Sequence, residues 1–560
     1  AGQPRCLYTR VKKAVRFIAM TNRVALIGSS GGGIATLGHT DAVGLLQTIH
    51  KELLKVEGSE GIETALFVSL HGGKGLDAAS ENDTATLYEV TAGPNGNSGS
   101  SGQCPVQISQ TGTLKEVNNV CREADVKIAK AIRSKRVSAL ICISCDVQIH
   151  AETLHAAADM GIPVTGSGGT SLSSAASQFN VHLVGNAGGS VATTSYTRAV
   201  SYTDALATAW KKPYKPFSAS LVRPQWRSVL KACLPAFWAV ALTIRMQQMF
   251  GLDDEDSMVQ VLRRFALPTT CCVVTATSCA PQYESIVIMA SIVASMACRE
   301  SIIAGLVAGW LVSLIVGRTL FACVRLGIPA TMTNLLVAGG VGAVVFLLTY
   351  PVAPFLGDVS AIIRWLVRTS MSGQIPGVGF AMGCFSCYGS KVGYYHALWL
   401  PIILIEMEFG SASLWGTIDE CTLVLVSAGI CAGNLAVNPR TPSDDHGQGV
   451  ETDVALCRRG LRINLLYGDF IEAAYPFMER SVVVNVAGYL ASGISTELLT
   501  GNPTDVLSMA YLPLPVSIWL AKDMRKLSIS YASAFTIAFL GTVVANLLPR
   551  RNRRKAGKNE

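Results

Sequence analysis

From about residue 230 to residue 548 the chain is dominated by long runs of Leu, Val, Ile, Ala and Gly, whereas residues 1 to about 225 alternate short apolar runs with polar, Gly-rich stretches. So uneven a distribution cannot be absorbed by one water-soluble core. Half of the 560 residues are hydrophobic and only 15% are charged, with a mean hydropathy of +0.38, which is too long for one domain and too apolar for a wholly soluble protein. Two parts are expected: a soluble head over 23–220, preceded by an extension at 1–22, and a polytopic membrane domain over 228–548 with a basic tail at 549–560.

The net charge of +8 would suggest nucleic acid if the basic residues formed a stripe on a folded surface. Instead Lys211, Lys212, Lys215, Arg223, Arg227 and Lys231 lead into the first apolar span, and Arg550, Arg551, Arg553, Arg554, Lys555 and Lys558 follow the last. That pattern belongs to loops facing the cytosol or its equivalent, and it predicts the head and tail on one side of a membrane with no nucleic-acid partner. The 16 cysteines are mostly scattered singly through apolar segments, where Cys behaves as a small hydrophobe, so no disulfide framework is expected. The first 20 residues lack the continuous apolar region of a secretory signal, and the initial Ala leaves open a cleaved targeting sequence or a truncated chain.

Within the head, the periodicity predicts strands at Arg23 to Ile27, Thr64 to Leu70, Thr84 to Val90, Val137 to Ser144, Pro163 to Thr165 and Val181 to Val184. Helices are expected at Asp41 to Lys55, Leu114 to Ser134, Ile149 to Met160 and Tyr202 to Trp210. This alternation implies a doubly wound, mostly parallel, Rossmann-like α/β sheet. Gly-rich turns end several strands, at Gly28-Ser29-Ser30-Gly31-Gly32-Gly33, Gly166-Ser167-Gly168-Gly169-Thr170 and Gly185 to Ser190. Backbone N–H groups in such turns, backed by a helix N-terminus, make a nest for a phosphorylated or anionic ligand; equally, the glycines turn the chain where strands end. His71-Gly72-Gly73-Lys74 would either add a cation to such a site or form a solvated loop. No dinucleotide fingerprint or P-loop is complete, so no cofactor is assigned.

Cys145 directly follows a predicted strand and precedes a helix, where helical N–H groups would favour a reactive thiolate. Cys142-Ile-Ser-Cys145 has redox spacing, but Cys142 falls inside the strand, and residues three apart on a strand point to opposite faces. An inert core thiol is the alternative for both.

The apolar body offers spans near 230–250, 265–298 (two short segments broken near Pro281), 302–325, 331–356, 375–407 in pieces, 421–437, 481–498, 506–521 and 530–548, about eight to ten crossings. Several are shorter than the roughly 20 residues that a bilayer core requires, so broken and re-entrant helices are expected around a site near the midplane. A polar insertion at 438–480 reads as a helical excursion outside the membrane. Its one His among scattered carboxylates lacks metal-ligand spacing, so no metal is expected.

Ionisable residues in such a body are expensive, by roughly 2.5 to 3.5 kcal/mol each, and are kept for something polar. His396, Glu406, Glu408, Asp419 and Glu420 fall within 50 residues of chain rich in Gly and Pro. Of these, His396, Glu420, Asp419 and Glu408 are the expected ligands of a small polyhydroxylated solute, since carboxylates accept paired hydrogen bonds from neighbouring hydroxyls. Placement at a membrane surface, beside Tyr394-Tyr395, is the alternative for His396, Glu406 and Glu408.

His396-Ala-Leu-Trp-Leu-Pro401, with Gly410, Ser413 and Gly416-Thr417-Ile418-Asp419-Glu420, resembles the sugar-site segment of the membrane permease component (enzyme IIC) of bacterial sugar phosphotransferase systems. The likeness centres on residues 372–435. It implies a sugar held by His396 and Glu420 or Asp419, and a dimeric permease. Tyr395 and Ala397 stand where that family has Asn and Gly, and Cys421 to Val437 replace its Pro-Gly-rich run. In the family a IIB domain carries a phosphocysteine at a strand end; Cys145 to His150, followed by Pro163 to Ser167, resembles such a site and would make a group translocator. The remaining readings are a membrane-tethered enzyme working through its head, and a non-transporting subunit of a membrane complex that retains a permease fold.

Overall fold

The run Ala139–Ile143 has no polar face, which suits a strand covered on both sides, and in the computed structural model it is β5, fully buried in a seven-stranded sheet. The structure describes residues 22–30, 41–71, 79–91, 104–186, 194–216, 223–249, 258–328, 330–409, 412–437, 448–469, 473–508 and 510–548. Residues 1–21, the tail, Gly31 to Gly33, Gly72 to Lys74, 187–190, Gly410 and 438–447 therefore lie outside the described residues.

The other strands are β1 (Asn22–Ser29), β2 (Ser59–Leu70), β3 (Thr84–Thr91), β4 (Val106–Thr113), β6 (Pro163–Ser167) and β7 (His182–Asn186), in the order β4-β3-β2-β1-β5-β6-β7. Strands β2, β1, β5, β6 and β7 run parallel, while β3 and β4 add an antiparallel edge, so the sheet is mixed. Numbered among themselves, the parallel strands follow 2-1-3-4-5, one of the common doubly wound orders. Helices α1 (Ala42–Leu53) and α5 (Ser195–Ala209) bury Leu46, Ile49 and Tyr202 on one face of the sheet. Helices α2 (Leu114–Arg133), α3 (Ala151–Asp159) and α4 (Gly169–Phe179) cover the other with Ile128, Leu154 and Leu172.

Two elements were not expected from the sequence. Strand β4 is polar and mostly exposed, so it carries no apolar alternation to announce it. Helix α4, Gly-Thr-Ser-Leu-Ser-Ser-Ala-Ala-Ser-Gln-Phe, is made of weak helix formers and is held by burial of Leu172 and Ala175. A polar staple joins α2 to α3: Asp125 accepts from the backbone N and the hydroxyl of Thr153 at 3.0 and 2.6 Å, and lies 3.1 Å from His150 Nδ1.

The chain divides into two compact units, and the first gathers 282–286 and 314–341 to residues 1–221. Tyr196 meets Tyr283 edge-on at 5.4 Å, and Tyr214 meets Phe321 at 6.1 Å. These segments belong to the apolar part of the sequence, so the head recruits surface that linear reading gave to the membrane body.

Beyond residue 222 the described structure is helical. It contains α6 (Trp226–Met249), α7 (Met258–Cys279), α8 (Ser285–Ser295), α9 (Ile302–Arg325), α10 (Val341–Thr349), α11 (Ala353–Ser370), α12 (Val378–Lys391) and α13 (Tyr395–Glu406). Then follow α14 (Leu414–Asp419), a π-helical turn (Glu420–Leu425), α15 (Val426–Val437), α16 (Gln448–Tyr467), α17 (Tyr475–Arg480), α18 (Val482–Glu497), α19 (Leu514–Leu520) and α20 (Met524–Leu547). Among the described residues, five helical stretches are long and apolar enough to cross a membrane: Trp226–Ile244, Ile302–Arg325, Met332–Thr349, Leu414–Val437 and Met524–Leu547. They are consistent with an integral membrane protein. The chain breaks near Pro281 as expected, and the polar insertion is helical where described.

The span expected at 506–521 is a correction. Only Leu514–Leu520 is helical there, because Pro513 and Pro515 start it late and Tyr511 takes a left-handed φ of 65°. The backbone before it is irregular yet buried, and it is satisfied by α14: Ser413 N donates to Ser508 O at 2.7 Å, and the Thr417 hydroxyl to Val506 O at 2.8 Å. Buried non-helical backbone survives only with partners of this kind.

Leu414–Val437 is the central helical run, with 78% of its most apolar window buried against 28% to 44% for the other four. Gly429 and Gly433 let it touch α20: a Cβ on Gly429 would sit 2.5 Å from Phe535 O, and one on Gly433 2.8 Å from Thr542 Cβ. Gly429→Leu is expected to lower stability in detergent by about 1–3 kcal/mol through overpacking. Gly357→Leu on α11, where nothing lies within 4 Å, should leave the thermal midpoint nearly unchanged. Equal losses from both would refute the packing argument.

A second expectation concerns the head. His50 is buried, its Nδ1 accepts from Ile62 N at 3.0 Å, and burial lowers its pKa from 6.5. The unfolded imidazole therefore takes a proton more readily than the folded one, so this contribution is full above about pH 6.5 and shrinks as pH falls below it. The urea midpoint of the head, measured in the full chain, should drop on mild acidification. His50→Gln should flatten that dependence.

Candidate functional site

Helices α13 and α14 pack as antiparallel neighbours, and aromatic residues one turn apart on each meet in pairs. Tyr395 pairs with Asp419, its hydroxyl donating to Oδ2 at 3.2 Å, and Trp399 stacks on Trp415 with ring centroids 4.8 Å apart. Positions i and i+4 share a helix face, so 395 and 399 face 419 and 415 along one seam. The seam ends at the π-helical turn that begins with Glu420, a distortion that recurs at functional positions.

Asp419 is 2% exposed and Glu420 0%. One oxygen of each is held: Tyr395, itself 2.6 Å from the Tyr511 hydroxyl, bonds Asp419 Oδ2, while Ser517 and Tyr531 both donate to Glu420 Oε2. The other oxygens, Asp419 Oδ1 and Glu420 Oε1, have no hydrogen-bond partner among the described residues, and neither have the indole nitrogens of Trp399 and Trp415. Two acceptors and two donors on α13, α14 and the turn that follows are thus buried without a hydrogen-bond partner among the described residues. Such groups normally cost about 1–3 kcal/mol apiece.

The other acidic residues are engaged differently. Glu406 Oε2 accepts from the Ser413 hydroxyl and from Trp415 N at 2.6 Å, and so caps the start of α14. Glu408 takes the Ile302 N–H at 2.7 Å at the start of α9, the Ser360 hydroxyl at 3.3 Å, and the Arg364 guanidinium at 3.3 Å. Glu408 is therefore a compensated structural charge and does not join Asp419 and Glu420. His396 lies in the first turn of α13, next to Tyr395, but its side chain lies outside the described residues. Sequence reasoning missed Tyr511, Ser517 and Tyr531, which come from distant segments, and also Trp399 and Trp415, whose spacing from Tyr395 and Asp419 was a usable signal.

In the head, the carboxyl ends of β1 and β5 form the switch point of the doubly wound sheet, where ligands of such folds gather. The Ser29 hydroxyl donates to Ser144 O at 2.7 Å, and Ser30 Oγ accepts from Leu70 N at 3.0 Å. Gly28 (φ 152°) and Gly168 (φ 114°) are fixed by crowding: an added Cβ would lie 2.0 Å from Ile143 O and 2.7 Å from Ser144 Cα. Gly166 presses on Cys142 O in the same way. Ser167 is buried and accepts from Tyr202 at 2.6 Å and from Arg198 at 3.4 Å, which brings a buried guanidinium to the end of β6.

Cys145 is 1% exposed within the core, and Asp146 takes the amides of Gln148 and Ile149 that would have served a thiolate. Cys142 lies inside β5 and Cys145 beyond its end, and left-handed Ser144 (φ 44°) between them breaks the strand alternation that would have related the two. The neighbouring Cys145 thiol and burial push the Cys142 thiol well above its usual range.

The chain matches no protein-family model, no curated protein and no solved structure.

The contrast between the two carboxylate groups can be measured. Arg364→Ala strands Glu408 in a buried position and should cost about 3–5 kcal/mol, seen as a lower thermal midpoint in detergent. Glu420→Gln removes no ion pair and should shift the midpoint far less. The reverse order would show that Glu420, not Glu408, is the structural charge.

Proposed function

We propose that the chain is a permease-like membrane transporter whose helical body binds a small polyhydroxylated solute at the α13–α14 seam. The reading is carried by the unsatisfied Asp419, Glu420, Trp399 and Trp415 atoms, which supply both acceptors and donors to hydroxyl groups beside a stacked indole pair. An aromatic face packs against the C–H face of a sugar or polyol while the polar atoms fix its hydroxyls. The resemblance of His396 to Glu420 to the sugar-site segment of phosphotransferase-system permeases supports the same choice. Glu408 drops out of the proposed ligand set, and Tyr395, Tyr511 and Tyr531 enter as the groups that hold the carboxylates.

The head is read as a module that binds a phosphorylated or anionic ligand at the β1–β5 switch point, with Ser29, Ser30, Ser167 and Gly168 around it and Arg198 as the cation. Cys145 is not assigned phosphoryl transfer, since it is buried beneath that point. The apolar side chains that the helices leave exposed, such as Leu347, Trp365 and Val486, fit a lipid surface or contact with a second subunit.

The test is uptake of radiolabelled D-glucose and D-mannitol by vesicles carrying the full chain. Asp419→Ala and Glu420→Ala should lower uptake at least tenfold at equal protein, and Trp399→Ala several-fold. Unchanged uptake in both carboxylate variants would end the assignment of the seam.

A further inference from the structure

The two carboxylate groups of the body differ in how their charge is balanced. Glu408 faces Arg364 at 3.3 Å, and both Arg364 and Arg368 act on Glu406, so that cluster holds two acids and two bases. Around Asp419 and Glu420 the described neighbours carry no base. Asp419 faces Tyr395 from α13, Tyr511 from the irregular segment, and a further acid, Asp469, from the end of α16. Glu420 faces Ser517 from α19 and Tyr531 from α20, with Cys421 beside it. Consecutive in sequence and fully buried, two carboxylates cannot both stay ionised without a counter-charge; such groups are neutralised instead.

We propose that the Asp419–Glu420 pair binds a proton as a second ligand and that solute movement is linked to it. The inference rests on the reading of the seam as a solute site. The step is simple: a proton from water forms an O–H bond with a carboxylate oxygen, and its release to water on the other side restores the carboxylate. The free oxygens Asp419 Oδ1 and Glu420 Oε1 make the link physical. As carboxylates they only accept hydrogen bonds, whereas a protonated one donates to a solute oxygen, so proton and solute stabilise each other's binding.

Hydroxyls able to pass a proton are clustered around Glu420. Ser508 Oγ lies 2.6 Å from Ser517 Oγ, which lies 2.8 Å from the Tyr531 hydroxyl, and both Ser517 and Tyr531 bond Glu420. Rows of such groups relay protons within membrane proteins.

Infrared difference spectra of the full chain in nanodiscs, taken between mildly acidic and mildly basic buffer, read the pair directly. A carboxylic acid C=O band should appear on acidification and should be lost in Asp419→Asn/Glu420→Gln. Its absence in the unmutated protein, or its persistence in the folded double variant, would overturn the proposal. Should that variant fail to fold, ¹³C-labelled Asp and Glu in the unmutated chain decide by whether the band shifts. In vesicles, an imposed pH gradient should drive D-mannitol or D-glucose accumulation of about tenfold per pH unit for one coupled proton. Uptake indifferent to the gradient overturns the coupling and leaves the carrier reading standing. A titrating band without uptake of either solute supports the proton site and removes the carrier reading instead.

Discussion

A carboxylate taken out of water must meet a cation, a proton or a set of hydrogen-bond donors, and that constraint organises the helical part of this protein. Glu408 meets Arg364 and the amide that opens α9, and Glu406 meets the amide and hydroxyl that open α14. Both are absorbed into the scaffold as helix caps. Asp419 and Glu420 are met by hydroxyls alone and on one side alone, with an oxygen of each left over. Burial without full satisfaction is costly, and it is on this cost that the proposed ligand site rests.

The surrounding architecture keeps that arrangement in place. The helical run Leu414–Val437 is the most enclosed of the apolar helices, so Asp419 and Glu420 are fixed at its interior by helices on several sides. Glycines at 429 and 433 bring α20 close enough for Tyr531 to reach Glu420. The irregular segment before α19 gives its backbone bonds to Ser413 and Thr417 and in doing so delivers Tyr511, while α19 itself delivers Ser517. A regular helix through 506–521 would have had no spare backbone groups to pair with α14.

The head follows a different economy. Its sheet brings three glycines against neighbouring backbone at the carboxyl ends of β1, β5 and β6. Close strand approach therefore explains Gly28, Gly166 and Gly168 without a ligand. Ser167, already singled out in the sequence, is joined there by Arg198 and Tyr202 of α5, which sequence reading did not weigh and which lie in a helix whose first turns were not foreseen. The thiols of Cys142 and Cys145 meet because one left-handed residue overrides strand alternation, a feature with no mark in the composition of the segment.

The amino-acid order alone determined the change from an alternating α/β region to an apolar helical body and most strand positions of a sheet read as mostly parallel, and it singled out the two acids at 419 and 420. Each of these rests on local patterning or on the rarity of charge in apolar surroundings, which is visible residue by residue. Only the tertiary structure decided which acids are balanced, because Arg364 lies 44 positions from Glu408, and Tyr531 lies 111 from Glu420. It also decided that segments near 282–286 and 314–341 join the head, and that 506–521 gives up its helix. Hydrogen bonds and ion pairs act through space over a few ångströms, so their partners are fixed by packing and not by distance along the chain.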